Sequence, residues 1–134
     1  MRESNIQYWP FPVPPPEQRT EHHGKVVRFL EGASASGFQV GKFTDGILDG
    51  EYLAESDSGR SGTIYYRGQN RWEVGLYEDR TRPQAFWTND FTHAAAAVLV
   101  WLRGGNAADV LAAVDGHVIR GRVVLEPAGG APAS

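Results

Sequence analysis

Thr63-Ile64-Tyr65-Tyr66-Arg67, Gly68-Gln69-Asn70 and Arg71-Trp72-Glu73-Val74-Gly75-Leu76-Tyr77-Glu78 together form the stretch that decides the fold. The first segment is rich in β-branched and aromatic residues, which suit a pleated, half-buried surface. The second is a turn. In the third, Trp72, Val74 and Leu76 alternate with Arg71 and Glu73, the period-two pattern of a strand with one face inside and the other in water. A second turn, Asp79-Arg80-Thr81-Arg82-Pro83, leads into Gln84-Ala85-Phe86-Trp87-Thr88. Three such strands joined by short turns predict an antiparallel meander.

After Thr88 the hydrophobic period changes from two to 3.6. Asn89 or Thr88 can cap a helix whose first turn carries Asp90, a favourable charge at that end. Phe91, Ala95, Val98, Leu99 and Leu102 fall on one helical face, with Trp101 outside that stripe. Arg103-Gly104-Gly105 supplies a basic last turn and a glycine stop. Few polar residues follow His93, so this helix is expected to lie between the sheet and another element, either a second helix or the partner in a homodimer. The second helix opens at Asn106 with Asp109 as its capping pair and runs through Val114 to Asp115-Gly116. His117 to Leu125 reads as a final strand. Upstream, Lys25-Val26-Val27-Arg28-Phe29-Leu30 reads as a strand and Gly32 to Gly37 as a loop. Phe38 to Val40 and Glu51 to Glu55 read as short strands, and Ser56 to Gly62 as a polar loop. The expected fold class is α+β: an antiparallel meander packed by two C-terminal helices, with a final strand.

Length and composition bound the rest. The chain has 134 residues, 41% of them apolar and 22% charged, which suits one domain with its own core. Residues 1–24 are expected to form an extended, proline-rich arm, residues 25–125 a single domain, and residues 126–134 a flexible tail. Five of the eight prolines lie between Tyr8 and Pro16, which favours polyproline II over helix or sheet. Such a segment can serve as a ligand for an aromatic-grooved adaptor, or it can pack Tyr8, Trp9 and Phe11 onto the body. The net charge is −3 and the sequence pI about 5.8, so there is no basic footprint for nucleic acid. Cysteine is absent, which excludes disulfides and thiolate chemistry and favours a reducing cytoplasm. Met1 to Gln7 has no apolar core of a signal peptide. The longest apolar run, Ala94 to Leu102, is about half of what a bilayer crossing needs.

Catalytic constellations are hard to find. His22 and His23 are adjacent and lack carboxylates at ligand-like spacing, so no metal is expected. His93 reads as a partly exposed surface residue, and His117 has no local partner to orient it. Gly59-Arg60-Ser61-Gly62 lacks the glycine two residues before the serine that a nucleophile elbow needs, and it is no P-loop. Asp45, Asp49, Glu51 and Glu55 cluster in sequence, which leaves carboxylate chemistry open beside a solvated face. Arg60, Arg67, Arg71, Arg80 and Arg82 concentrate around Tyr65, Tyr66, Trp72, Tyr77 and Trp87. Arginine interleaved with aromatics suits protein contact hot spots, and nearby Glu73, Glu78 and Asp79 weaken the field nucleic acid would require. The candidate partner-binding residues are therefore Asp57 and Arg60 in the polar loop, and Asn70, Arg71, Asp79, Arg80 and Arg82 at the meander turns. Neighbouring turns of a meander lie at opposite ends, so only one is expected to join the main patch.

From Thr63 to Gly105 a Tyr-rich strand, a Trp-bearing strand, the Phe86-Trp87 pair and an Ala-rich helix ending Trp101-Leu102-Arg103-Gly104-Gly105 follow one another. In this order the chain resembles small bacterial immunity proteins of polymorphic toxin systems, including the group that neutralises NAD-degrading necrotizing toxins. The resemblance implies a cytoplasmic antitoxin that plugs the active site of a cognate toxin domain, with no cofactor and no chemistry of its own. Two alternatives stand beside it: a small hydrolase using the carboxylate cluster, and an adaptor or secretion-chaperone module using the proline arm.

Overall fold

Thr20 starts a helix where the β-branched content of the chain predicts a strand. Its side chain accepts from the backbone N–H of His23, and the His23 ring accepts from the Thr20 N–H, a reciprocal capping box. Helix α1 then runs over Glu21–Ala35 and buries Val26, Val27, Phe29, Leu30 and Ala33. Positions 26, 29, 30 and 33 recur at helical spacing, and burial of that face overrides the weak helix preference of paired valines. The expected strand at Lys25–Leu30 and the expected loop at Gly32–Gly37 are therefore both helix, up to a stop at Gly37 with φ 94°.

The computed structural model describes residues 6–44, 48, 50–79, 81–114 and 118–124, without the side chains of 82, 83 and 118–124. Besides α1 it contains strands β1 (Ile6–Tyr8), β2 (Gln39–Phe43), β3 (Glu51–Glu55), β4 (Arg60–Gly68), β5 (Arg71–Glu78), β6 (Thr81–Thr88) and β7 (Val118–Val124). Helices α2 (Phe91–Leu102) and α3 (Ala107–Val114) lie between β6 and β7 in the chain. The strands form one sheet in sequence order, each antiparallel to the next. The expected α+β class, with a meander, two C-terminal helices and a final strand, is the observed one. The tail beyond residue 124 lies outside the described residues.

The proline-rich segment divides. Ile6–Tyr8 pairs with β2 at the sheet edge, Phe11 is buried, and Trp9 packs edge-on against Phe11 at 5.0 Å. Arg19 then donates to the carbonyl of Pro14 at 2.7 Å, folding the segment toward α1.

The turns are tighter than their polar composition suggests. Between β3 and β4 the chain reverses at Asp57-Ser58-Gly59, so Arg60, Ser61 and Gly62 belong to β4 rather than to a loop. Gly59 has φ 91°, and a Cβ there would sit 2.5 Å from the Asp79 carboxylate. Between β4 and β5, Gln69 and Asn70 both have positive φ, 54° and 59°, the type I′ geometry that matches strand twist. Between β5 and β6, Glu78 pairs with Thr81, so the strand begins before the expected turn has ended.

Side-chain alternation sorts the sheet into two faces. Val40 and Lys42 of β2, Tyr52 and Ala54 of β3, Ile64 of β4, Trp72, Val74 and Leu76 of β5, and Phe86 of β6 point toward the helices and are buried. Helix α2 crosses this face, starting at Asp90, whose carboxylate accepts from Thr92 N–H at 2.9 Å. Asp90 is thus the cap itself, not a first-turn residue behind Asn89 or Thr88. The seat for α2 is Gly62, where a Cβ would come within 2.8 Å of Val98. The buried stripe of α2 is Phe91, Ala94, Ala97, Val98, Trp101 and Leu102, which corrects the expected stripe: Ala95 and Leu99 are only partly buried, and Trp101 is inside. Helix α3 covers the neighbouring side of α2, with Asn106 and Asp109 exchanging hydrogen bonds at 2.9 Å as its capping pair. His93 is partly exposed, as expected, and its ring joins the two helices, 3.3 Å from the Asp90 carboxylate and 3.4 Å from the Ala113 carbonyl.

Trp101 is 3% exposed, and its indole N–H donates to the Tyr77 carbonyl at 2.9 Å. Removing a buried indole leaves both a cavity and an unpaired carbonyl. Trp101→Ala is expected to lower the unfolding free energy by about 3–5 kcal/mol, measured by urea denaturation; an unchanged midpoint would place the indole outside the core.

Candidate functional site

All three helices pack on the same side of the sheet, and the other face holds the chemistry. Its register follows from the pairing. Leu53 and Glu55 of β3 stand opposite Gly41 and Gln39 of β2, and Glu51, Leu53 and Glu55 stand opposite Tyr65, Thr63 and Ser61 of β4. Tyr65, Thr63 and Ser61 in turn face Glu73, Gly75 and Tyr77 of β5, and Glu73 pairs with Trp87 of β6.

The two ends of this face differ. At the β4–β5 hairpin end, Arg71 lies over the Trp87 ring at 5.0 Å and Arg67 over the Tyr65 ring at 5.1 Å. Arg67 also pairs with Glu73 at 3.3 Å. Exposed guanidinium–aromatic pairs of this kind are individually worth under about 1 kcal/mol to the fold but present flat, ordered contact area. At the opposite end a pocket of about 620 Å³ opens between the sheet and the turns. Its apolar walls are Ile6, Phe43, Leu53 and Tyr77, and its carboxylates are Glu51, Glu55, Asp57 and Asp79.

Glu55 carries the electrostatic signature of the pocket. Burial pushes its carboxyl pKa above the ordinary glutamate value. Partial burial first, and the charge of Glu55 second, raise the Tyr8 phenol as well, so the two lie within electrostatic reach. Among the described residues no lysine, arginine or histidine forms an ion pair with Glu55.

The residues expected to bind a partner separate into three groups. Asp57 and Asp79 come together, because the β3–β4 and β5–β6 turns share one end of the sheet and are joined by the Asp79 N–H donating to the Gly59 carbonyl at 3.0 Å. Asn70 and Arg71 lie at the other end, as the alternation of turns requires. Arg60 is turned to the helix side. Its guanidinium lies 3.8 Å from the Trp101 ring centroid and donates to the carbonyls of Trp101 at 2.9 Å and Gly105 at 2.6 Å. The Arg60 side chain is 17% exposed, and Glu78 approaches it at 3.6 Å. These bonds satisfy orphan carbonyls at the C-terminus of α2, where positive charge is favoured. Arg80 and the side chain of Arg82 lie outside the described residues, as do Asp45, Asp49 and His117.

Sequence reading grouped the aromatics and arginines without dividing them between faces. Tyr66 and Trp72 go to the helix side, where their rings pack at 4.5 Å, while Tyr65, Tyr77 and Trp87 line the open face. The signal was present in the alternation: once Trp72 is inside, Arg71, Glu73 and Tyr77 must be outside. Among the described residues no group of three or more His, Asp or Glu is placed to hold a metal ion, and no helix is long and apolar enough to cross a membrane.

No protein-family model, curated protein or solved structure matches the chain.

Two outcomes are expected from the charges. Arg60→Glu should destabilise the fold by roughly 2 kcal/mol or more, because it removes charged hydrogen bonds and puts an anion beside the carbonyls of α2; full stability in thermal and urea unfolding would refute the clamp. A carboxyl whose pKa rises on folding holds its proton more tightly in the folded state. Ionised Glu55 therefore costs stability, a cost that is absent below the ordinary glutamate pKa, grows as the pH rises through the folded value and is complete above it. Glu55→Gln should accordingly raise the melting temperature at pH 7 and leave it unchanged near about pH 3. A lower melting temperature at pH 7 would mean that the carboxylate has a stabilising partner.

Proposed function

We propose that this chain is an immunity protein that binds a cognate toxin domain with the helix-free face of its sheet and occludes the toxin's active site. The observation that carries the reading is the build of that face, with arginine-on-aromatic pairs at one end and a pocket with carboxylates at the other. Aromatic and arginine anchors beside a concavity are what tight protein interfaces use at their centres. The order of elements from Thr63 to Gly105 supplies the immunity resemblance. Occlusion requires complementary shape and charge, which a rigid sheet backed by three helices can present with little ordering cost on binding.

The contact set differs from the loops read from the sequence. Arg71, Trp87, Arg67 and Tyr65 form one end, Asp57 and Asp79 rim the other, and Arg60 holds the scaffold. A second reading, a small hydrolase, is favoured by Glu55 alone: a carboxyl with a raised pKa in a pocket that Glu51 also lines suits a general acid. Substrate turnover by the wild-type chain, abolished in Glu55→Gln, supports that reading over the first.

The test is co-expression with any toxin domain that a neighbouring gene encodes; if no neighbouring gene encodes one, the reading falls. Wild type should restore growth and form a complex. Arg71→Glu and Trp87→Ala should each weaken binding about 30-fold or more, the scale of a hot-spot residue, with melting temperatures close to wild type in the case of exposed Arg71. If both variants bind as wild type does, or no complex forms, the reading falls.

A further inference from the structure

We infer that the segment from Phe11 to Pro15 is a docking ridge for a further protein partner, a module whose aromatic-lined groove takes up a polyproline II helix. Proline fixes φ at Pro12, Pro14 and Pro15, and a residue that precedes proline is held out of the α region, which covers Phe11 and Val13 as well. Pro15 has φ −58° and ψ 154°, close to the polyproline II values. Such a helix repeats every three residues, so positions 11 and 14 share one side and positions 12 and 15 another. Phe11 is buried, Pro14 is half-buried, and Val13 packs against the core. Pro12 and Pro15 are both exposed, about 9 Å apart along the helix. Among the described residues nothing donates to the carbonyls of Pro12 and Val13, so the ridge offers acceptors beside its rings. Both ends of the segment are tied: the Trp9 N–H donates to the Val40 carbonyl at 2.6 Å, and the Arg19 side chain to the Pro14 carbonyl at 2.7 Å. A proline helix already held in place loses little freedom on binding. Tryptophan and tyrosine rings, with their N–H and O–H donors, match its rings and carbonyls. Charge narrows the partner further. The residues after the prolines bring forward a carboxylate, exposed Glu17, and hold back their arginine, Arg19, on Pro14. The matching groove is therefore neutral or basic beside its aromatic rings, not acidic. This ridge is separate from the open face, because the Phe11 beneath it lies beside Lys42 on the helix side. It does not rest on the toxin reading.

The experiment titrates the full-length, isotopically labelled chain with two purified modules, a WW domain and an SH3 domain. NMR follows the Val13 amide and the Hα–Cα signals of Pro12 and Pro15. The WW domain should give saturable shifts at these residues, and the SH3 domain, whose groove ends in carboxylates that Glu17 opposes, should bind more weakly. The double variant Pro12→Ala with Pro15→Ala should weaken the WW complex at least about tenfold, while core signals such as those of Leu30 and Trp72 keep their native positions. Pro16→Ala, off the ridge, should bind as wild type does. If the double variant loses its native core signals, Pro12→Ala and Pro15→Ala are read singly by the same criterion. Absence of shifts at residues 12–15 with both modules, undiminished affinity in the ridge variants, or an equal loss in Pro16→Ala would each overturn the ridge. Tighter binding by the SH3 domain would overturn the charge assignment. None of these results depends on the toxin.

Discussion

The stacking of Arg60 on Trp101 is the constraint on which the rest of the structure depends. One guanidinium covers an indole, satisfies two carbonyls at the end of α2 and the connection to α3, and meets Glu78 across the β4–β5 pair. The same indole donates to the Tyr77 backbone. A helix of small residues has little shape of its own to fix its position on a sheet. Here one end is fixed by this clamp and the middle by the close approach of Val98 to Gly62. With α2 held there, α1 and α3 pack beside it, and every helix lies on one side. The open face is a consequence: among the described residues no helix lies on it.

That arrangement explains how polar residues divide. On the covered face they need partners or apolar wrapping, as with Lys42, fully buried with its ammonium 5.7 Å from the Phe11 ring centroid. On the open face water solvates what the protein does not, so Arg67, Arg71, Glu51 and Glu73 can stand at strand positions without a desolvation penalty of the full magnitude. Curvature qualifies this only at the pocket, where the turns rise beside β3 and partly withdraw Glu55 from water.

The meander and both C-terminal helices were legible because their hydrophobic patterns are long and their turns carry strong local signals. Helix α1 was not. Val26-Val27 and Phe29-Leu30 read as a buried strand when taken as a run of six residues, since a short apolar run has no decisive period. A longer window starting at Thr20 contains the cap, the answering His23 and the 26-29-30-33 spacing together. The loops misled for a related reason. Polar composition marks where a chain turns but not how many residues the turn needs, and Ser56–Gly62 contains three residues that extend β4. Arg60 was read as free because it sits among serines and glycines, while its partners lie 41 and 45 residues away; no local window contains them. The carboxylates Glu51 and Glu55 were visible as a cluster, but their placement opposite Tyr65 and Ser61 depends on pairing across the sheet.

Glu55 shows how stability and binding can oppose one another at a single position. Its charged form is disfavoured by its surroundings, and a neutral residue of the same shape would suit the isolated fold better. The cost falls on the free protein: burial withdraws the carboxylate from water, and among the described residues no ion pair offsets it. A neutral or acidic group brought against Glu55 would bury it further without compensating it, so close approach there is opposed unless a hydrogen-bond donor or a cation accompanies it.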